Sequence, residues 1–90
     1  MAAGDVVNGI SGADITFQPA AGVECMITSG GWYTDNGFFM NYTNGTINSQ
    51  FVPNTTYGEV YQPKAFITNS IYLLVQRSTA NCSYSGIQIK

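Results

Sequence analysis

The segment KAFITNSIYLLVQ, from Lys64 to Gln76, joins two apolar runs through the polar pair Asn69-Ser70. With that pair as a two-residue turn, the segment predicts a β-hairpin whose side chains alternate between two faces. The first face carries Phe66, Ile71, Leu73 and Val75, and the second carries Ala65, Ile67, Tyr72 and Leu74. Both faces are apolar, whereas a hairpin with one side in water has polar residues on that side. We therefore expect the hairpin to be covered twice, by a second sheet and by another subunit.

Short apolar runs separated by turn residues continue along the rest of the chain. Further strands are predicted at residues 15–18, 23–28, 31–34, 38–42, 46–52 and 82–90, and residues 57–61 are predicted to form a short strand or an extended edge. Asn36-Gly37 predicts a hairpin that pairs 31–34 with 38–42, and Asn44-Gly45 predicts another turn, because both residue types tolerate positive φ. No window has apolar residues at the spacing of a helix. The predicted fold class is all-β, a small antiparallel β-sandwich or barrel of about seven to eight short strands.

Residues 1–12, MAAGDVVNGISG, are rich in small residues and contain only a brief apolar pair, Val6-Val7. They are predicted to form an extended N-terminal arm ahead of a single β domain at residues 13–90. Arms of this composition become ordered when they lie across a neighbouring molecule.

Charge is sparse in this sequence. Only 9% of the 90 residues are charged, whereas about 25% are charged in an ordinary soluble protein. Lys64, Arg77 and Lys90 form no basic cluster, which argues against binding of nucleic acid through its phosphates. No apolar run approaches the roughly 20 residues of a membrane-spanning helix. We therefore expect solubility to come from uncharged polar residues, or much of the surface to be buried in an assembly.

The residues needed for catalysis are largely missing. Because the sequence has no histidine, a Ser-His-Asp triad and a Cys-His dyad are excluded, and neither cysteine has neighbouring zinc ligands. Of the five acidic residues only Glu24 lies in the middle of a predicted strand, where a rim or interface contact is the favoured interpretation. The prediction is a protein that is not an enzyme and uses no cofactor or metal.

Two features leave alternatives open. Cys25 and Cys82 form either a disulfide or two buried thiols, and the phase of Cys25 with Val23 and Ile27 favours a thiol in the core. Four aromatic residues near the Asn36-Gly37 turn form either a sugar-stacking platform or ordinary core and interface packing, with packing favoured. These four candidate glycan contacts are Trp32, Tyr33, Phe38 and Phe39.

Four segments of the chain carry a resemblance to known proteins: MAAGDVVNGIS at 1–11, DITFQPAAGVECMIT at 14–28, AFITNSIYLLVQ at 65–76 and YSGIQIK at 84–90. They resemble small virion structural proteins of tailed bacteriophages. The resemblance covers most of the chain, but its motifs are packing patterns and not catalytic signatures. It implies a short all-β component of the virion, of the decoration or fibre type, assembled in the cytoplasm of the bacterial host.

The favoured hypothesis is a capsid decoration, or cement, protein that binds the outer surface of the phage head and stabilises it. Its arm is predicted to contact the major capsid protein through Val6, Val7 and Ile10. A homotrimer is expected by analogy with viral β-knobs, with the central hairpin at the trimer axis. The residues predicted for this interface are Ile67, Tyr72, Leu74, Phe66 and Leu73. The alternatives are a tail-fibre or receptor-binding tip that contacts host glycan and, more weakly, a sugar-binding module.

Overall fold

The structure, a computed structural model, describes residues 2–32, 38–55, 64–77 and 81–90. Within these ranges the chain forms eight β-strands and no helix. The strands are β1 (Val6–Ser11), β2 (Ile15–Phe17), β3 (Cys25–Trp32), β4 (Phe38–Thr43), β5 (Asn48–Thr55), β6 (Ala65–Ile67), β7 (Tyr72–Arg77) and β8 (Cys82–Gln88).

The strands form two antiparallel sheets of four strands each. The first sheet has the order β1-β8-β3-β6, and the second sheet has the order β2-β7-β4-β5. The predicted all-β class and the predicted number of strands are confirmed, and the architecture is a small β-sandwich.

The hydrogen-bonded pairs of strands are nested along the chain, with the first strand paired to the last. β1 pairs with β8, β2 with β7, β3 with β6 and β4 with β5, and successive pairs alternate between the two sheets. The chain is therefore one long antiparallel ribbon rolled into a sandwich, which is the topology of a jelly roll.

The middle of this ribbon is the connection between β4 and β5. A turn is present there, as the pair Asn44-Gly45 predicts. The side-chain oxygen of Asn44 accepts hydrogen bonds from the N–H groups of Thr46 and Ile47, at 2.9 and 2.8 Å. Gly45 has a φ of +92°, a conformation that glycine adopts without a steric cost.

The core lies between the sheets and receives apolar side chains from both. The first sheet contributes Val7, Cys25, Ile27, Ala65, Ile67, Cys82 and Tyr84, and the second contributes Met40, Leu73 and Val75. Phe17 of β2 stacks on Tyr84 of β8 with ring centroids 5.3 Å apart, so an aromatic pair also joins the two layers.

The central hairpin predicted at Lys64 to Gln76 is wrong, because its two strands lie in different sheets. β6 pairs with β3 in the first sheet, whereas β7 pairs with β2 and β4 in the second. The turn itself exists, since the N–H of Thr68 donates to the carbonyl of Ile71 at 2.7 Å, but residues 68–71 carry the chain across the sandwich. The side chains that point into the core therefore come from both predicted faces. Leu73 and Val75 of β7 belong to the first predicted face, and Ala65 and Ile67 of β6 belong to the second.

The hairpin predicted across Asn36-Gly37 is wrong for the same reason. β3 belongs to the first sheet and β4 to the second, so no ladder joins them in the described residues. The turn predicted at Asn36-Gly37 and the strand or extended edge predicted at 57–61 lie outside the described residues.

Residues 6–11 are extended, as predicted, but they are an edge strand of the sandwich and not an arm separate from it. All six residues of β1 are in register with β8, and Val7 is buried in the core. Val7 lies opposite Gly86 and joins the core cluster, and β8 is hydrogen-bonded to β1 on one side and to β3 on the other.

Candidate functional site

The outer face of the first sheet carries a row of apolar side chains that crosses all four strands. Val6 is opposite Ile87, Ile87 is opposite Met26, and Met26 is opposite Phe66. We call these four residues the apolar row. Val6, Ile87 and Phe66 are 66%, 36% and 58% exposed, and Met26 is half-buried. In a chain of this size, four neighbouring apolar side chains on one outer face form a candidate contact surface.

The corresponding row on the second sheet is mostly polar. It runs from Thr16 to Leu74, Asn41 and Gln50 across β2, β7, β4 and β5. The side-chain amide of Asn41 donates to the carbonyl of Leu74 at 3.2 Å and to the side-chain oxygen of Gln76 at 3.0 Å. The buried side-chain amide of Asn41 is thus satisfied within the second sheet, and this row is more polar than the apolar row of the first sheet.

The rest of the first sheet's outer face near β1 and β8 is uncharged. Asn8 is opposite Ser85, and Ile10 is opposite Ser83. A shallow cavity of about 320 Å³ lies between these residues, with Tyr84 and Gly9 in its wall. Ile10 stands at its rim and is 81% exposed, the most exposed large apolar residue described in the chain.

A larger groove, of about 490 Å³, lies between the β4–β5 turn, β6 and the connection from β6 to β7. Its exposed apolar residues are Ile47, Phe66 and Ile71, and Tyr42 is its one ionisable side chain. The lining offers apolar contact and hydroxyl or amide hydrogen bonds. Among the described residues, this lining contains no carboxylate or amine.

The structure separates the residues predicted for the oligomer interface. Ile67 and Leu73 are completely buried in the core, which corrects their assignment to a contact with another chain. Phe66 lies on the outer face of the first sheet, whereas Tyr72 and Leu74 are half-buried on the second sheet, beside Thr43 and Asn41. The predicted surface is therefore divided between opposite sides of the sandwich.

The residues predicted to contact the capsid divide according to the alternation of β1. Val6 and Ile10 point outward from the first sheet and are accessible. Val7 points inward and is 5% exposed, so its predicted contact with another protein is corrected to a core position. The structure keeps two of the three residues available to a partner.

The candidate glycan contacts are not brought together in the described part of the structure. Tyr33 and the side chains of Trp32 and Phe38 lie outside the described residues. Phe39 is half-buried on β4, opposite Gln76. The sugar-stacking platform stays a prediction.

The two cysteines are buried thiols, the alternative that the phase of Cys25 favoured. Burial raises the pKa of the Cys25 thiol, which disfavours the reactive thiolate. The Sγ of Cys82 lies 3.4 Å from the carbonyl oxygen of Ala13. Burial also raises the pKa of Tyr84, and the nearby Cys25 raises it further.

Among the described residues, no three Cys, Asp or Glu side chains come close enough together to hold a metal ion. In the same ranges no helix has the length and hydropathy needed to cross a membrane.

Sequence reasoning missed two members of the apolar row, Met26 and Ile87. The alternation of side chains could have identified both residues. Along 23–28 it places Met26 outward, and along 82–90 it places Ile87 on the face opposite to Tyr84. What the sequence lacks is the register that puts these two residues side by side.

No family model, no curated protein and no solved structure matches this chain. Function is therefore inferred from the fold and the surface alone.

Proposed function

We propose that this chain is a virion structural protein, a decoration protein that binds the outer surface of a phage head and stabilises the assembled shell. The observation that supports this proposal is the apolar row on the outer face of the first sheet. Three of its four side chains are substantially exposed in a chain of which 9% is charged. Exposure of these apolar side chains to water is unfavourable in free energy, and contact with another protein removes them from water.

The magnitude of the effect suits a repeated structural contact. Full burial of one valine, isoleucine or phenylalanine side chain contributes about 1.5–3 kcal/mol before the cost of association. Val6, Ile87 and Phe66 together give a modest affinity for each copy, and many copies on one shell add their effects. Since the row contains no charged residue, its contact should depend little on salt.

The jelly-roll topology supports the same proposal at the level of architecture. Two-sheet jelly rolls occur in viral capsid proteins, and they also occur in lectins. Topology alone therefore does not select a function. It favours a virion role in combination with an apolar outer face, the low charge and the absence of histidine.

The mechanism is mass action. A protein that binds the assembled shell but not its separate subunits lowers the free energy of the shell at each site, by an amount that grows with the logarithm of its concentration relative to the Kd. No chemical step is required, and the chain contributes the outer face of its first sheet.

The direct experiment measures binding of the purified chain to phage heads assembled without it. Phe66→Asp puts a charge into the apolar row, and Ile47→Asp is the matched control because Ile47 is also exposed and also borders the groove. We expect Phe66→Asp to abolish binding and Ile47→Asp to retain it. Equal binding by both variants would remove the apolar row from the proposal.

Copy number in the purified particle tests the location. A decoration protein should be present in numbers comparable to the major capsid protein, as measured by quantitative mass spectrometry. A few copies confined to the tail would contradict the proposal. Glycan binding lost in Trp32→Ala would then favour the receptor-binding tip.

A further inference from the structure

We infer that the edge strand β1 pairs with β1 of a second copy of this chain, antiparallel and across a two-fold axis at Asn8. The partner is thus a second copy, and the contact is strand addition at a sheet edge. The inference concerns the edge of the first sheet and shares only Val6 with the apolar row, so it stands whether or not the row binds a phage head. A two-fold pair would replace the trimer expected by analogy.

The four sheet edges differ in how they are protected against pairing. Natural proteins protect edges by short strands, proline or charged residues. β2 and β6 are each three residues long, and β5 contains Pro53. β1 spans six residues, VVNGIS, with no proline and no charge. Among the described strands, β1 is the edge that most resembles a site for pairing.

The backbone of β1 has the phase that a two-fold pair at Asn8 requires. The N–H of Gln88 donates to the carbonyl of Asp5 at 2.9 Å, so the carbonyl of residue 5 points toward β8, whereas its N–H donates to the carbonyl of Ala2. Because these groups alternate along a strand, those of Val6, Asn8 and Ile10 point away from β8, toward the outer edge. In the described residues β1 pairs only with β8, which leaves this set available for a second copy.

The side chains of β1 are self-complementary in the same register. Val6 and Ile10 are each two positions from Asn8 and lie on the same outer face, where they are 66% and 81% exposed. A two-fold axis at Asn8 brings Val6 of one copy opposite Ile10 of the other, twice. Cross-strand apolar pairs of this kind stabilise antiparallel ladders. The pairing therefore explains why the edge strand exposes two large apolar residues at these positions.

Charge is compatible with this register. The nearest charged side chain along the strand, Asp5, already accepts a hydrogen bond from the N–H of Ala2 at 2.7 Å. In the two-fold pair the two copies of Asp5 lie at opposite ends of the ladder, about 20 Å apart at strand spacing. Their repulsion is screened, because that separation exceeds the Debye length of about 8 Å at physiological salt.

Pairing by β1 would join the two first sheets into one sheet of eight strands, twice the four seen in one copy. A two-fold axis perpendicular to the sheet keeps the same face outward in both copies. The two apolar rows then lie on one continuous surface, and a partner that binds this surface is held at two sites.

The first test is sedimentation velocity of the full chain over a dilution series. Ile10→Lys introduces the charge that natural edges use against pairing, and Ile47→Lys is the matched control at a similarly exposed isoleucine. We expect wild type and Ile47→Lys to sediment as dimers that dissociate on dilution, and Ile10→Lys to sediment as a monomer. A monomeric or trimeric wild type, or equal behaviour of the two lysine variants, would overturn the inference.

The second test measures the register directly by cross-linking. In the paired form the two Cα atoms of residue 8 are about 5.5 Å apart, a distance that a disulfide spans. Asn8→Cys should form a covalent dimer under mild oxidation, whereas Thr46→Cys, at an exposed turn position, should not. The native thiols do not interfere, because Cys25 and Cys82 are buried. Absence of the cross-link in Asn8→Cys, with the fold intact by circular dichroism, would refute pairing at Asn8.

Discussion

Gly86 of β8 faces Ile27 of β3 so closely that a Cβ at position 86 would lie 2.8 Å from the Cα of Ile27 and would also overlap the carbonyl of Met26. The contact occurs beside a register shift between Ile27 and Ser29. Since both opposing atoms belong to the backbone, neither can move aside as a side chain would. The two central strands of the first sheet thus approach each other at a point where only glycine fits.

Gly86→Ala should therefore be strongly destabilising. We expect a loss of about 3 kcal/mol in the free energy of unfolding, the upper end of the usual cost of overpacking, measured by urea denaturation. Gly12→Ala is the control, because a Cβ there meets only the side chain of Asn81 at 3.3 Å. Similar stabilities of the two variants would show that β3 and β8 are less tightly apposed than described.

Asn44 should be the most important side chain of the β4–β5 turn. Asn44→Ala removes the acceptor for the N–H groups of Thr46 and Ile47, so we expect a loss of about 1–2 kcal/mol in the free energy of unfolding. Asn48→Ala, an exposed position at the start of β5, should change it by less than about 0.5 kcal/mol. A difference in the denaturation midpoints of the two variants checks this prediction.

Gln88 carries a buried side-chain oxygen for which the described residues supply no hydrogen-bond partner. Its amide nitrogen donates to the carbonyl of Lys90 at 3.3 Å, a long bond. Gln88→Met keeps the shape and removes the unsatisfied oxygen, so we expect a gain of about 1 kcal/mol in stability. Gln50→Met, on the exposed face of β5, should be neutral. Destabilisation by Gln88→Met would indicate that the oxygen has a partner.

Stability should fall at alkaline pH because of Cys25 and Tyr84. Burial raises the pKa of both groups, so the folded chain keeps their protons to a higher pH than the unfolded chain. Their contribution is complete below the unfolded pKa values, about 8.5 for cysteine and about 10 for tyrosine, and is lost as pH rises above them. Urea denaturation midpoints measured through this range should decline with increasing pH.

Tyr84→Phe isolates one of these groups. The variant retains an aromatic ring to stack on Phe17 and lacks the ionisable hydroxyl. We expect its midpoint to decline less steeply than that of wild type above the pKa of tyrosine. An unchanged slope would assign the alkaline loss to groups other than Tyr84.

Local sequence signals predicted the kind of structure but not which strands pair. Alternation along 23–28 correctly placed Cys25 and Ile27 in the core, and Asn44-Gly45 correctly predicted a turn. Asn69-Ser70 also forms a turn, yet there the chain changes sheets instead of returning beside itself. Turn chemistry bends the backbone in both cases and carries no information about the next partner strand.

The candidate surface was only partly predictable for a related reason. The sequence predicted contacts with other proteins for Val6, Ile10 and Phe66, and the structure exposes all three side chains, although the contacts themselves stay a prediction. It did not separate Val6 from Val7, because the side of β1 that faces the core is decided by its register with β8. Ladders between residues so distant along the chain cannot be derived from neighbouring residues alone.

The nested order of the strands also has a consequence for the time course of folding. The β4–β5 ribbon closes a short loop, whereas β1 must find β8 across most of the chain, and contacts of long sequence separation form slowly. We therefore expect the pairing of β1 to be the last to be completed. Synthesis of β8 must precede this pairing, so a growing chain does not present the finished edge. On this expectation, the strand that we assign to self-association becomes competent only after the rest of the sandwich has closed.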